Sequence, residues 1–197
     1  AGSVVNLGAG SVSATATGTS ILAAATNGNS GYTITVNGTT LTSGVNTITA
    51  LAAGGASAVG TKQFGLNLAG ANTTPVVGAA KTGTGTASAV ANYGTNDNFR
   101  FTTGDTIASV AGPTNANTFT VGYIANIDGL TQAGAYNTVL TYTHTANFGC
   151  AGKKTSLDWR SSQPRCWVWS RLTQLPPRPR APMSTRAGHI GRPRSRS

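Results

Sequence analysis

The chain contains 197 residues, of which 39% are hydrophobic and 9% are charged, and it carries a formal net charge of +10. Its large apolar side chains are few, which favours a thin two-layer core over the deep interior of a typical enzyme. The whole net charge lies in residues 150–197, which hold eleven basic residues and one acidic residue, whereas residues 1–149 hold three of each sign. The overall charge therefore gives no reason to expect residues 1–149 to bind nucleic acid.

Residues 1–149 contain neither cysteine nor methionine, and they are rich in Thr, Asn, Gly and Ala. A nearly uncharged sequence without oxidisable sulfur suits an extracellular setting, so we predict a secreted protein at the cell surface. No stretch approaches the roughly 20 apolar residues that a membrane-spanning helix needs. The chain begins at Ala1 rather than at a methionine, which is compatible with removal of a signal peptide.

The first 25 residues give a weak strand signal because small residues dominate them. The larger apolar residues that would support one or two strands here are Val4, Val5, Val12, Ile21 and Leu22. Residues 22–25 and 50–59 are each expected to form at most a short helical turn.

The first clear alternation runs over residues 32–36, where Tyr, Ile and Val occupy every second position. The dipeptide Asn37-Gly38 follows, and because it is a strong hairpin signal it predicts a return strand over residues 39–41. Ser43-Gly44 predicts a second turn. Shorter alternating runs follow, at residues 64–68 and 98–101.

Two long strands are predicted towards the end of the uncharged region. Residues 118–128 alternate apolar and polar side chains with one exception, Ile124, and residues 136–148 alternate in the same way. Such alternation is typical of antiparallel strands with one face on a core and one face in water. We therefore predict an all-β fold, an antiparallel β-sandwich of the Ig-like or jelly-roll-like kind, over residues 1–149.

The composition changes abruptly after residue 149. All three tryptophans, six of the eight prolines and most of the arginines lie in residues 150–197. A segment of this kind cannot bury enough apolar area to offset its ordering entropy, so we predict a disordered or irregular basic tail outside the fold. Both cysteines, Cys150 and Cys166, lie in this tail, and their spacing leaves open whether they form a disulfide.

The two long strands also carry a resemblance. Residues 119–128 read Phe-Thr-Val-Gly-Tyr-Ile-Ala-Asn-Ile-Asp, and the turn Thr-Gln-Ala-Gly-Ala-Tyr at residues 131–136 leads into the final strand. In pattern and order, residues 28–148 resemble bacterial secreted β-sandwich surface proteins of the pilin-like, biofilm-fibre and spore-coat type. The resemblance implies a structural protein whose last strand closes a sheet near Phe148, and it supplies no catalytic motif.

Candidate catalytic residues are scarce. Asp97, Asp105 and Asp128 each lie in a polar turn, and His144 lies within the final predicted strand. A Ser/His/Asp site or a carboxylate pair would have to be assembled from these residues, so we predict that the chain is not an enzyme and has no cofactor. Asp97 and Asp105 lie in turns rich in oxygen ligands that calcium accepts, which makes them the candidate metal ligands, although such residues mostly serve as turn formers.

The predicted function is structural, as a subunit of an extracellular filament, a pilus-like fibre or a surface layer. Long, nearly uncharged sheet edges invite pairing with another chain. Residues 1–25 are candidates for an exchanged strand that completes the sheet of a neighbour, so the expected partner is a second copy of the chain. The residues expected to mediate assembly are Val4, Val5, Val12, Ile21 and Leu22.

Two other functions stay open from the sequence. A monomeric secreted module that binds cell-wall glycan or another surface polymer would use Thr-rich strand faces, such as that of Thr141, Thr143 and Thr145. Binding of nucleic acid or another anionic polymer would rest on the basic tail alone.

Overall fold

The computed structural model of the chain describes residues 3–149. These residues form an antiparallel β-sandwich, which confirms the predicted fold class. The predicted basic tail, with Cys150 and Cys166, lies outside the described residues.

The first sheet is organised around one long central strand. Its four strands are β1 (Ala16–Thr26), β5 (Gln63–Asn67), β6 (Thr82–Gly83) and β9 (Thr114–Asn126). The central strand β9 pairs antiparallel with β1 along one side and with β5 and β6 along the other. β1 therefore forms one edge of this sheet.

The second sheet packs against the first. Its four strands, in spatial order, are β10 (Leu140–Ala146), β2 (Tyr32–Gly38), β8 (Thr106–Val110) and β7 (Ser88–Ala89). A separate hairpin joins β3 (Thr42–Ser43) to β4 (Asn46–Thr47), and a single helical turn, α1, spans Ala91–Gly94. β10 forms one edge of the second sheet.

The core lies between the two sheets and follows from the period-two alternation. The alternate positions that are apolar and buried are Tyr32, Ile34 and Val36 of β2 and Phe119, Val121 and Tyr123 of β9, and each large side chain removed from water contributes about 1.5–3 kcal/mol. The residues between them are mainly Thr and face outward. The largest fully buried apolar side chains of this core are Tyr32, Val36, Ile48, Phe64, Leu66, Tyr93, Ile107, Phe119 and Val121.

Ile124 interrupts the alternation of β9 because it belongs to a second, smaller core on the outer face of the first sheet. It packs there with Val77 and Phe99, which come from two loops that cover this face. A side chain at Gly122 would press on Val77, and one at Gly65 would press on Phe99. The two glycines therefore let the loops approach the sheet closely.

The predicted hairpin at Asn37-Gly38 is wrong. β2 pairs with β10 and β8, which lie far away in sequence, and not with residues 39–41. The turn predicted at Ser43-Gly44 is present between β3 and β4, where Gly44 has a φ of +57°. The short helical turn predicted at residues 22–25 is also wrong, because this segment belongs to β1.

The two lateral sides of the sandwich differ. On one side α1 contacts β5 of the first sheet and both β7 and β8 of the second, so it closes the gap between the sheets. β1 and β10 are the outermost strands on the opposite side. We call this opposite side the open side.

Candidate functional site: the open side of the sandwich

Within residues 3–149, no strand other than β2 pairs with β10, so β10 has an unpaired edge on the open side. The N–H of Asn147 donates to the carbonyl of Gly31 at 2.8 Å, and the β10–β2 register continues from this pair without a shift. Because bonded and non-bonded positions alternate in an antiparallel ladder, the odd-numbered residues of β10 bond to β2. The even-numbered residues direct their N–H and C=O groups away from the sheet; they are Leu140, Tyr142, His144 and Ala146.

Among the described residues, β1 pairs with β9 alone and so has a second unpaired edge. Phe64 and Leu66 direct their backbone bonds away from β9, towards Thr49, Leu51 and Arg100. The intervening residues of β5 therefore bond to the even-numbered residues of β9, which leaves the odd-numbered residues of β9 to bond to β1. The β1 residues whose backbone groups face outward are then Thr17, Thr19, Ile21 and Ala23.

Neither edge carries the usual protection against pairing. Natural sheet edges are commonly blunted by charged side chains, by proline or by short strands. β1 and β10 contain no proline, Lys, Arg, Asp or Glu, and they are 11 and 7 residues long. On the opposite side of the sandwich, which α1 closes, β7 is only two residues long. There the edge of β5 that faces away from β9 is bonded to the loops at Thr49 and Arg100.

The segment before β1 packs against the open side of the core. We call residues 3–15 the N-terminal segment. Its Val5 and Leu7 side chains lie against Gly18 on the inner face of β1, where any larger residue would collide with them, and both contact the core. Within residues 3–149, no residue of this segment pairs with a strand outside it. In the part of the chain that the structure describes, one side-chain hydrogen bond joins this segment to a distant residue, between Thr15 and Ser57 at 2.9 Å.

The predicted assembly residues divide into two groups. Val5 and Leu22 are half-buried and pack against the core. Val4, Val12 and Ile21 are exposed, with 95%, 52% and 69% of their surface accessible. Leu7, which carries no clear signal in the sequence, is half-buried and packs against the core as Val5 does. Gly18 could have indicated this packing from the sequence, because a glycine inside a strand often marks a close approach by another segment.

A chain of hydroxyl groups connects the three strands next to the open side. Ser20 of β1 bonds to the Tyr123 hydroxyl of β9 at 2.8 Å, and that hydroxyl bonds to the Tyr142 hydroxyl of β10 at 2.7 Å. Burial, followed by the neighbouring Tyr123, raises the pKa of Tyr142 well above its ordinary value. The chain of hydroxyls ties the two sheets together, and Tyr142 stays neutral at physiological pH.

Asp97 and Asp105, the candidate calcium ligands, belong to separate hydrogen-bond networks. The Asp97 carboxylate accepts bonds from the N–H groups of Thr73 and Thr74 and from the Thr73 hydroxyl. The Asp105 carboxylate accepts bonds from Arg100 at 2.8 Å and from the Tyr93 hydroxyl at 2.9 Å. Within residues 3–149, no group of three or more His, Cys, Asp or Glu side chains is arranged to hold a metal. Calcium binding therefore stays a prediction from sequence alone.

Replacing Asp97 with asparagine is expected to lower the free energy of unfolding above about pH 4 and to weaken its dependence on acid. Hydrogen bonds from the N–H groups of Thr74 and Thr73 hold the pKa of Asp97 below its ordinary value of 3.8. A lowered folded-state pKa gives stability that is complete above the unfolded-state pKa and is lost as the pH falls through the folded-state value. Urea unfolding between about pH 2 and pH 6 measures the difference. Identical pH profiles for both proteins would contradict this role.

His144 and the Thr-rich row lie on opposite faces of β10, with His144 on the face that Leu140 and Tyr142 direct towards the core. The His144 ring lies 4.7 Å from the Tyr32 ring, between centroids, and its side chain is exposed. Thr141, Thr143 and Thr145 of β10 all face solvent. Asn72, a formal glycosylation acceptor in sequence, is 5% exposed, and the two N–H groups of its amide are within hydrogen-bond distance of three oxygens, so it serves as an internal bonding residue.

Comparison of the chain with protein-family models, with curated proteins and with solved structures found no match. No helix within residues 3–149 is long and apolar enough to cross a membrane. The resemblance to bacterial surface proteins therefore stays a prediction.

Proposed function

We propose that this protein is an extracellular structural subunit that assembles with copies of itself by strand addition. The observation that carries the proposal is the packing of Val5 and Leu7 into the core without a backbone ladder. A segment held by side-chain contacts and one hydroxyl bond can leave its own domain and enter a neighbour, where it makes the same contacts. It can also add backbone bonds there if it pairs with a free edge.

The exchanged part is the N-terminal segment, residues 3–15, and not the whole of residues 1–25. β1 pairs with β9 at ten positions, so its departure would break a long ladder and uncover the core beneath Leu22. The N-terminal segment gives up only side-chain contacts and one hydroxyl bond. Exchange of this shorter segment therefore has the smaller free-energy cost.

Deleting residues 1–14 is expected to abolish filaments while leaving a folded sandwich, because β1 and its ladder remain. Electron microscopy measures assembly, and circular dichroism measures the fold. The deleted protein can still accept a segment, so adding it to the intact protein should shorten the filaments. A full-length Val5→Ser, Leu7→Ser variant should assemble poorly for the same reason.

The matched control is the full-length variant with Val4→Ser and Val12→Ser. These two side chains are exposed in the same segment, so the control should assemble normally if burial of Val5 and Leu7 drives the exchange. Regular filaments formed by the deleted protein would overturn the proposal.

A second candidate function is binding of a neutral surface polymer such as cell-wall glycan. It is favoured by one feature, a row of hydroxyl side chains that crosses all four strands of the second sheet on its outer face. The ladder aligns them in the order Thr145, Thr33, Ser109 and Ser88. A monomeric polymer-binding module would form no regular fibres in the electron microscope, which distinguishes it from the assembly proposal.

Binding of nucleic acid would rest on residues 150–197 and should be lost on trimming at Gly149.

A further inference from the structure

The free edge of β10 has a regular pattern of unsatisfied backbone groups. Four N–H groups and four C=O groups point outward, from Leu140, Tyr142, His144 and Ala146, and no described residue beyond β2 pairs with this strand. Its ladder with β2 runs through all seven residues without a bulge. An edge of this kind is a template for another strand.

We infer that β10 pairs antiparallel with β10 of a second copy of this chain, about a two-fold axis at Thr143. This inference rests on the proposed self-assembly and names a second contact between subunits, separate from the exchanged segment. A two-fold axis requires the same strand on both sides of the contact, so each copy offers the same set of outward groups to the other.

The register follows from the positions of the outward groups. Bonded pairs in an antiparallel ladder must join even-numbered residues of β10 to even-numbered residues of its partner. Centring on Thr143 places Tyr142 opposite the partner's His144 and Leu140 opposite the partner's Ala146. All four outward N–H groups of each copy then donate to carbonyl groups of the partner strand. Centring on Tyr142 instead would place Ala146 beyond the end of the partner strand and leave its groups unpaired.

The side chains on β10 suit this register. The face that carries Thr141, Thr143 and Thr145 would continue into the same face of the partner, and β-branched residues of this kind pack well across strands. No Lys, Arg, Asp or Glu on either strand would meet a like charge. The paired second sheets would become one eight-stranded sheet.

β1 is the less suitable edge. A bulge interrupts its ladder with β9 between Ala24 and Thr26, whereas the ladder of β10 is uninterrupted. Alanine and glycine, which are weak strand formers, occupy five of its eleven positions.

Cross-linking tests the register directly. At the two-fold axis Thr143 faces the partner's Thr143 as a non-bonded pair, for which the Cα atoms lie about 4.5 Å apart. This separation falls within the range of about 4.4–6.8 Å that a disulfide spans. The full-length Thr143→Cys variant, with Cys150→Ser and Cys166→Ser, should therefore form a covalent dimer on mild oxidation, seen by non-reducing electrophoresis.

The matched controls are Thr141→Cys and Thr145→Cys in the same background. Each of them alone should stay monomeric on oxidation, because the two copies of that residue would lie about 13 Å apart along the strands. An equal mixture of the two variants should give a mixed dimer, since Thr141 faces the partner's Thr145. Equal cross-linking of all three single variants would indicate random collision and would overturn the register.

An edge variant tests the pairing without any cross-link. The N–H of His144 points outward, so His144→Pro leaves the β10–β2 ladder intact and blocks the partner strand. Its sedimentation should show at least a roughly tenfold weaker self-association than that of the intact protein. His144→Lys provides the same test if the proline variant unfolds.

The outcomes separate this contact from the exchanged segment. Filaments that persist without any Thr143→Cys cross-link would overturn the β10 contact and leave the proposed function standing. Cross-linked dimers in a protein that never forms filaments would support the β10 contact and contradict the assembly by exchange.

Discussion

Replacing Gly31 with alanine is expected to destabilise the sandwich by about 3–5 kcal/mol, because the added methyl group meets backbone strain and a collision together. Gly31 has a φ of +72°, which disfavours any side chain, and a Cβ at this position would collide with the carbonyl group of Val110. Gly31 also accepts a bond from Asn147 and donates one to Gly28. Relief of the collision would therefore displace the start of β2 between both of its neighbours.

The matched control for Gly31 is Gly44→Ala. Gly44 has a similar φ of +57°, but a Cβ there would meet nothing within 4 Å. This substitution should cost only about 1 kcal/mol, which reflects the left-handed backbone alone. Urea unfolding of both variants measures the two effects, and equal losses of stability would show that the collision at Gly31 is relieved without cost.

Replacing Asn67 with alanine is the second large effect, an expected loss of about 3–5 kcal/mol. Asn67 is fully buried, and its amide donates to the carbonyls of Thr95 and Asn98. Its side-chain oxygen accepts from the N–H of Ala69 and from the Asn72 amide. Alanine would leave the N–H of Ala69 and the carbonyl of Asn98 without a partner in a buried site, where each unsatisfied group costs about 1–3 kcal/mol if water does not enter, whereas the Thr95 carbonyl and the Asn72 amide keep other partners.

The control for Asn67 is Asn96→Ala in the neighbouring loop. Asn96 is exposed, so its replacement should change the free energy of unfolding by less than about 0.5 kcal/mol. Thermal and urea unfolding would measure both variants. A loss below about 1 kcal/mol for Asn67→Ala would mean that the loops at Asn72 and Thr95 do not depend on it.

The strands and the main core were predictable because they follow from local alternation. The long strand around Phe119 and Tyr123 was recognisable since its apolar residues recur at every second position. Ile124 appeared as an exception to this pattern, and its partners Val77 and Phe99 lie in loops whose position no periodicity encodes. The second core therefore required the three-dimensional structure.

The pairing of strands was less predictable than their existence. Asn37-Gly38 has the composition of a tight hairpin, but β2 is flanked by β10 and β8, so tertiary packing overrode the local turn preference. From the sequence, Asn67 is a polar position of the alternating run at residues 64–68 and Asn72 is a loop residue. The burial of both is not evident there, because their bonding partners are brought together only by the fold.

The candidate site was predictable in its residues more than in its geometry. Val5 and Leu22 were identified from their apolar character, and both pack on the core. The position of these residues beside an unpaired sheet edge could not be predicted, because a strand lies at an edge only when no other strand pairs with it. The free backbone groups of β10, and their position beside β1 on one side of the sandwich, depend on the order of all eight strands in the two sheets.

The pairing between distant parts of the chain has a kinetic consequence. Ala16 pairs with Ala125 and Tyr32 pairs with Ala146, so each contact closes a loop of more than one hundred residues. Sheets built from such distant contacts fold slowly, on the order of milliseconds to seconds, because the entropy of loop closure is lost before the contacts form. During synthesis the N-terminal half emerges long before its partners in β9 and β10. Val5 and Leu7 therefore have no complete core of their own to pack against until β9 and β10 have paired.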